Sequence, residues 1–258
     1  MSKRLAAVAL VAFVALAGCS GGFAPTPGSG DDGTAPAPPA LADQPWANAD
    51  EQVNYTKLFA HHRNALANAS SYTFVQRIQS GTSSGTNTRI AVNHAAERAN
   101  LTVSAVRLGT EQRQETFVAN GTVYGRSAAG NETQYGSADQ NLTGAAFDRL
   151  AREQAAIRVG GGVFPALDFA YNGTENGTYV FEADSISTSE KTSFDAANVT
   201  DVSSRVAVAP EGYVSDLSLN LTVSTPNGER TVTALVRTEN VNATTVSEPA
   251  WTDEAAAA

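Results

Sequence analysis

From Tyr72 onward, large apolar residues recur at every second position in short runs divided by turn formers. Tyr72, Phe74, Gln76 and Ile78 alternate with polar neighbours, as do Leu101, Val103 and Ala105. Phe117-Val118 and Val123-Tyr124 flank Asn120-Gly121, and Tyr179, Phe181 and Ala183 follow Asn176-Gly177. The strongest run places Leu217, Leu219, Leu221 and Val223 on one side of one strand, with Val232, Ala234 and Val236 returning beside it. Pro210-Glu211-Gly212 and Pro226-Asn227-Gly228 bracket that strand with turn chemistry. A period of two with one apolar side predicts antiparallel strands with one wet and one apolar face.

Two stretches break the period. Tyr55, Leu58, Phe59, His62 and Leu66 follow helical spacing behind a capping pair, Asn48 and Glu51, and the helix should end near 68–71. A second helix is expected over 143–158, with Phe147, Leu150, Ala151 and Ile157 on one stripe and Gly160-Gly161-Gly162 after it. The expected fold is therefore α+β and mostly β: an antiparallel sheet with about two covering helices, or one curled on itself.

The chain start carries a different signal. Ser2-Lys3-Arg4 precedes the apolar run from Leu5 to Ala17, too short for a hydrocarbon core that needs about 20 residues. It fits the apolar region of an export signal over 1–18. Leu16-Ala17-Gly18-Cys19 resembles the lipobox of prokaryotic lipoproteins, and Cys19 is the chain's only cysteine. That resemblance implies a lipid on Cys19, so that the membrane itself is a partner through a two-chain anchor. Six of the ten prolines lie between Pro25 and Pro45. Residues 19–47 therefore read as a lipidated, Pro/Gly-rich disordered tether, 48–250 as a single antiparallel-sheet domain, and 251–258 as a disordered tail.

Asn-x-Ser/Thr occurs at Asn54, Asn68, Asn100, Asn120, Asn131, Asn141, Asn172, Asn176, Asn198, Asn220 and Asn242. Composition predicts roughly three such motifs by chance. Turn chemistry accounts for Asn120, Asn172 and Asn176, each in Asn-Gly-Thr. The register puts Asn100 and Asn220 on the wet face, where N-glycosylation needs them.

Charge narrows the partners. Lys+Arg is 17 and Asp+Glu is 26, for a net charge of −9, which argues against nucleic acid. Lysine occurs only at positions 3, 57 and 191, and an acidic, lysine-poor surface suits high salt. Lipobox, tether, Ser70-Ser71-Tyr72-Thr73-Phe74 and the Ala209-Pro210-Glu211-Gly212-Tyr213 turn together resemble uncharacterised lipoproteins of halophilic archaea. Helix followed by meander is similar, at fold level, to the LolA-like and LppX-like half-barrel lipoproteins. That likeness implies a curved, half-barrel-like sheet that shelters acyl chains.

Motifs for chemistry are weak. Gly81-Thr82-Ser83-Ser84-Gly85 matches a nucleophile elbow in letters but leads into a polar strand approach, so a hairpin loop is expected. His61 and His62 point about 100° apart on a helix and make a poor metal pair. His94-Ala95-Ala96-Glu97 reads as a turn. No enzyme, cofactor or metal site is expected. Two functions stand: binding of a lipid or hydrophobic ligand against Phe74, Ile78, Leu217, Leu219, Leu221 and Val236, or a glycosylated structural module that meets envelope proteins. Either would sit on the outer face of the cytoplasmic membrane.

Overall fold

The computed structural model describes residues 38–47, 53–81, 84–107, 109–157, 164–186 and 198–258. The export signal, Cys19, the tether up to residue 37, the Asn48 and Glu51 pair, Ser83 and the triple glycine lie outside the described residues. Eleven strands form one sheet: β1 (Ser71–Ser80), β2 (Ser84–Asn93), β3 (Arg98–Arg107), β4 (Thr110–Ala119), β5 (Gly121–Ala129), β6 (Glu132–Leu142), β7 (Ala170–Glu175), β8 (Thr178–Ala183), β9 (Val199–Val208), β10 (Val214–Thr225) and β11 (Gly228–Glu239). Their spatial order is β6-β5-β4-β3-β2-β1-β11-β10-β9-β8-β7, and every pair is antiparallel. The sheet is curved and open, and nine of its ten pairings join sequence neighbours. Only β1 against β11 is long-range, with Phe74 opposite Thr238 and Gln76 opposite Val236.

Turn chemistry sets the hairpins. Asn120-Gly121 and Asn176-Gly177 have positive φ at both residues, the two-residue connection whose twist suits flanking strands. Asn172-Gly173 behaves otherwise: it lies inside β7, and Gly173 at φ +97 accompanies a register shift between Tyr171 and Thr174. The expected hairpin tip there is instead a bulge. Gly81 turns β1 into β2, so a strand rather than a helix follows the Gly-x-Ser-x-Gly letters.

Helix α1 (Tyr55–Asn68) starts at Asn54, whose Oδ1 accepts from the Lys57 N–H at 3.0 Å. It stops as Ala69 turns extended, and Asn242 Oδ1 holds the Ser70 N–H at 2.8 Å. Helix α2 (Ala145–Gln154) is shorter than expected; it begins after Gly144, whose N–H donates to Glu97 Oε1 at 2.7 Å. Leu58, Leu66, Phe147 and Ala151 pack from these helices onto Tyr72, Phe74, Ile90, Val92 and the Leu217 row.

Two boundaries and one sheet face differ from the sequence reading. Residues 41–43, placed in the tether, form a 3₁₀ turn; Leu41 is buried and Trp46 fully so. Trp46 packs edge-on against Tyr179 and Phe181 at 5.6 and 5.9 Å between ring centroids. At the other end, 251–258 is not a loose tail. Trp251 is buried and helix α3 (Thr252–Ala256) lies against β5 and β6. Finally, the face opposite α1 and α2 is not wholly wet. Ala91, Phe117, Ala119, Val246, Trp251 and Ala255 form a second core there. The cause is legible in the runs Ile90-Ala91-Val92 and Phe117-Val118-Ala119, which lose their alternation and are buried on both sides.

Candidate functional site

The six apolar residues proposed as a ligand wall do share one face. Register aligns Leu217 with Val236, Val236 with Gln76, Leu219 with Ala234 and Ala234 with Ile78. Five of them, Phe74, Leu217, Leu219, Leu221 and Val236, are closed within the main core, and Ile78 is half-buried at its margin. They are occupied in packing rather than lining free space.

His62 locks the helices to this face. Its Nδ1 accepts from the Val214 N–H at 3.1 Å, and its Nε2 lies 3.1 Å from the Ala155 carbonyl. With Nδ1 accepting, Nε2–H is the donor, and both ring nitrogens are committed. His61, the next residue, is only half-buried. Burial pushes the His62 pKa down to about 4; the Ala155 bond opposes this and nearby Arg63 adds to it. The folded value lies below the unfolded 6.5, so folding favours the neutral ring. The resulting stability is whole above about pH 6.5 and drains as pH falls toward 4, about 3 kcal/mol in all. A His62→Gln variant is expected to be weaker at pH 7.5 but to lose less between 7.5 and 4.5, read from urea midpoints. Parallel pH curves for the two proteins would exclude His62 as the cause.

His94 sits in the expected turn, with Nδ1 at 2.9 Å from Asp148 Oδ1, which ties that turn to α2. Tyr72 donates to the Ala151 carbonyl at 2.8 Å, and burial raises its hydroxyl above the usual phenol range. These groups staple the helices down. Among the described residues, no three His, Cys, Asp or Glu side chains gather as metal ligands.

A shallow groove of about 460 Å³ lies over β7 to β10, lined by Asp168, Asn172, Glu182, Asp184, Ser203 and Arg205 among others. Arg205 reaches Glu175 at 2.6 Å and Glu182 at 3.7 Å, so the groove is ion-paired and net acidic, with Ala170, Tyr171 and Ala183 between the charges.

The two faces of β2 to β5 differ in charge, although Glu132 beside Ala129 and Arg230 beside Val223 put charge at the margins of the helix side. Opposite the helices, β1 to β5 and β9 to β11 carry arginines and acids, including Arg126–Glu115 at 3.1 Å and Arg237–Asp216 at 3.1 Å. On the helix side, register places Thr88, Val103, Gln114 and Ser127 in one row across β2 to β5. The row beside it is Thr86, Ala105, Gln112 and Ala129. Neither row carries a charge or a sequon. Gln112, Gln114 and Ser127 are exposed, so this area extends beyond the cover of the helices.

None of the eleven sequon asparagines is buried: Asn54 and Asn100 are half-buried and the other nine exposed. Asn100 lies opposite Ala91 and Phe117, and Asn220 opposite Ser203, both on the face away from the helices. Asn172 is drawn the same way by its amide bond to Glu182 Oε2 at 2.9 Å. Asn54 and Asn242 also do structural duty through their Oδ1 atoms, which leaves each Nδ2 available.

This architecture defines a mostly β protein with an open antiparallel sheet, helices on one face and a C-terminal strap on the other. The chain belongs to DUF7537, a family of unknown function, whose model matches residues 4–255. No curated protein matches it. Among solved structures, a chain of the Pseudomonas aeruginosa MucA/MucB complex is 10% identical, with 75% of this chain and 100% of that one covered and a TM-score of 0.13. MucB in complex with MucA(peri) is 9% identical, with 76% and 99% covered and a TM-score of 0.13. Likeness at that level carries no argument about fold or function. No helix among the described residues is long and apolar enough to cross a membrane.

Proposed function

We propose that this protein is a non-catalytic, N-glycosylated interaction module, held by a lipid on Cys19 at the outer face of the cytoplasmic membrane of a salt-loving archaeon. One observation carries this reading: every sequon asparagine lies outside the core, and the uncharged rows of β2 to β5 hold none. Sugars on the charged face, at the strand ends and at the two ends of α1 leave the uncharged rows as the area through which another envelope protein can approach. A net charge of −9 repels acidic neighbours elsewhere, whereas uncharged polar groups lose less hydration on contact than ions do and can hydrogen-bond a polar partner. Packing of Phe74, Leu217, Leu219, Leu221 and Val236 into the core supports this reading over a lipid carrier.

The test is photo-crosslinking in intact cells from probes at Gln114 and, on the other face, Ser203, which lies opposite Asn220 and in no sequon. Heavier adducts from Gln114 and few from Ser203 are expected. Monomer alone from Gln114 would defeat the interaction reading. A Cys19→Ser form is expected in the medium rather than on membranes. Solvent-extractable lipid bound to the native domain would restore the carrier reading.

A further inference from the structure

An open sheet ends in two strands whose outer N–H and C=O groups invite pairing with another chain. Here those strands are β6 and β7; among the described residues β6 pairs only with β5, and β7 only with β8. Edge β6 is eleven residues long, with no buried position and with the Tyr135 ring 37% exposed. It has neither lysine nor proline, two residues that commonly blunt an edge.

Sequons crowd the same places. Asn131 lies in the turn that opens β6, and Asn141 near its far end at φ +54. Asn172 lies within β7, and Asn176 in the turn that follows it at φ +49. All four are exposed. Counted the same way, the nine inner strands hold Asn100 and Asn220 within them and Asn120 and Asn198 at their ends, though they are most of the sheet. Edge β6 therefore has a sequon at each end, and short edge β7 has one within it and one just beyond.

We propose that N-glycans on Asn131, Asn141, Asn172 and Asn176 are edge guards that keep a second copy of this chain from pairing with β6 and β7. The proposal rests on the glycosylated-surface reading above. Attachment joins each Nδ2 to the anomeric carbon of a phosphate-activated oligosaccharide. That carbon's bond to the phosphate leaving group breaks, and one amide proton leaves with it. The substituted amide keeps one N–H, so Asn172 can still donate to Glu182, a bond that draws the sugar onto the charged face beside the edge. A bulky, hydrated chain at each end of β6 leaves too little clear length for a second β6 to align.

The experiment uses full-length protein from a glycosylating haloarchaeal host. An edge set removes four acceptors through Thr133→Ala, Thr143→Ala, Thr174→Ala and Thr178→Ala. A control set removes Asn100, Asn120, Asn198 and Asn220 through Thr102→Ala, Thr122→Ala, Thr200→Ala and Thr222→Ala. Intact mass is read first. Glycan at other sites but none on the four edge asparagines overturns the proposal and leaves the glycosylated-surface reading standing; no glycan anywhere overturns both. With the edge glycans present, light scattering should show the edge set self-associating at concentrations at least tenfold below parent and control. Adding Tyr135→Lys to the edge set should restore the monomer. An edge set as monomeric as the parent, or association that Tyr135→Lys does not reverse, overturns the proposal.

Discussion

Ending the chain after Asn240 is expected to unfold the domain or lower its thermal midpoint by well over 10 °C. The deleted strap supplies Val246, Trp251 and Ala255 to the second core, and its loss exposes Phe117, which is now fully buried. It also removes the Thr244 N–H that donates to Ser71 Oγ at 2.9 Å, the Thr73 to Thr244 hydroxyl bond at 3.0 Å, and the Asn242 clamp on Ser70. Burial of one tryptophan is worth about 3–5 kcal/mol, and a domain of this kind has only about 5–15 kcal/mol to lose. Circular dichroism through a thermal ramp reads the result directly. A midpoint within a few degrees of the full chain would mean that the second core adds nothing.

Trp46→Ala is expected to cost about 3–5 kcal/mol, and Trp46→Phe less than about 1.5. The alanine empties a site enclosed by Tyr179, Phe181 and the Gly212 turn. Phenylalanine keeps most of the contact and removes an indole N–H that is buried without a hydrogen-bond partner, so part of the lost area is offset. Urea midpoints at constant m-value separate the two. Equal costs would show that a phenyl ring recovers none of the lost contact, and a negligible cost for alanine would return residues 38–47 to the tether.

Trp46 also shows what the sequence could not make plain. It stands one residue after Pro45 at the end of a Pro- and Ala-rich stretch, and composition read over a window assigns it to the linker. One large side chain that fills a gap between Tyr179 and Phe181 leaves no periodic trace. Trp251 was hidden similarly, by the run of alanines after it. The strands, by contrast, were readable because Leu217, Leu219 and Leu221 must share a face in any register, and the Asn-Gly pairs at 120 and 176 fixed two hairpins. His62 was readable as the inward imidazole from its place in the Leu58 and Leu66 stripe; its bond to Val214, far along the chain, was not. Asn172 misled because Asn-Gly serves bulges as well as tips. The six wall residues share a face and five of them are packed in the core, because alternation shows which residues face inward and not what lies against them.

The strand order has a consequence for how the molecule is made. As the polypeptide leaves the ribosome, β1 to β6 can zip together in sequence, each onto its predecessor, and β7 to β11 can do likewise. The outer edge of β1 must wait, because Thr73, already paired with Ala91 on one side, has no partner on the other until Glu239 has been synthesised. Joining ends separated by some 150 residues carries a loop-closure cost on the order of 4 kcal/mol. The nascent molecule is thus two finished stacks with one open seam, and its slow step is expected to be the arrival of the last strand. A pulse of free peptide spanning Gly228–Glu239 during synthesis should compete for that seam, whereas the same peptide added to finished protein should find it closed.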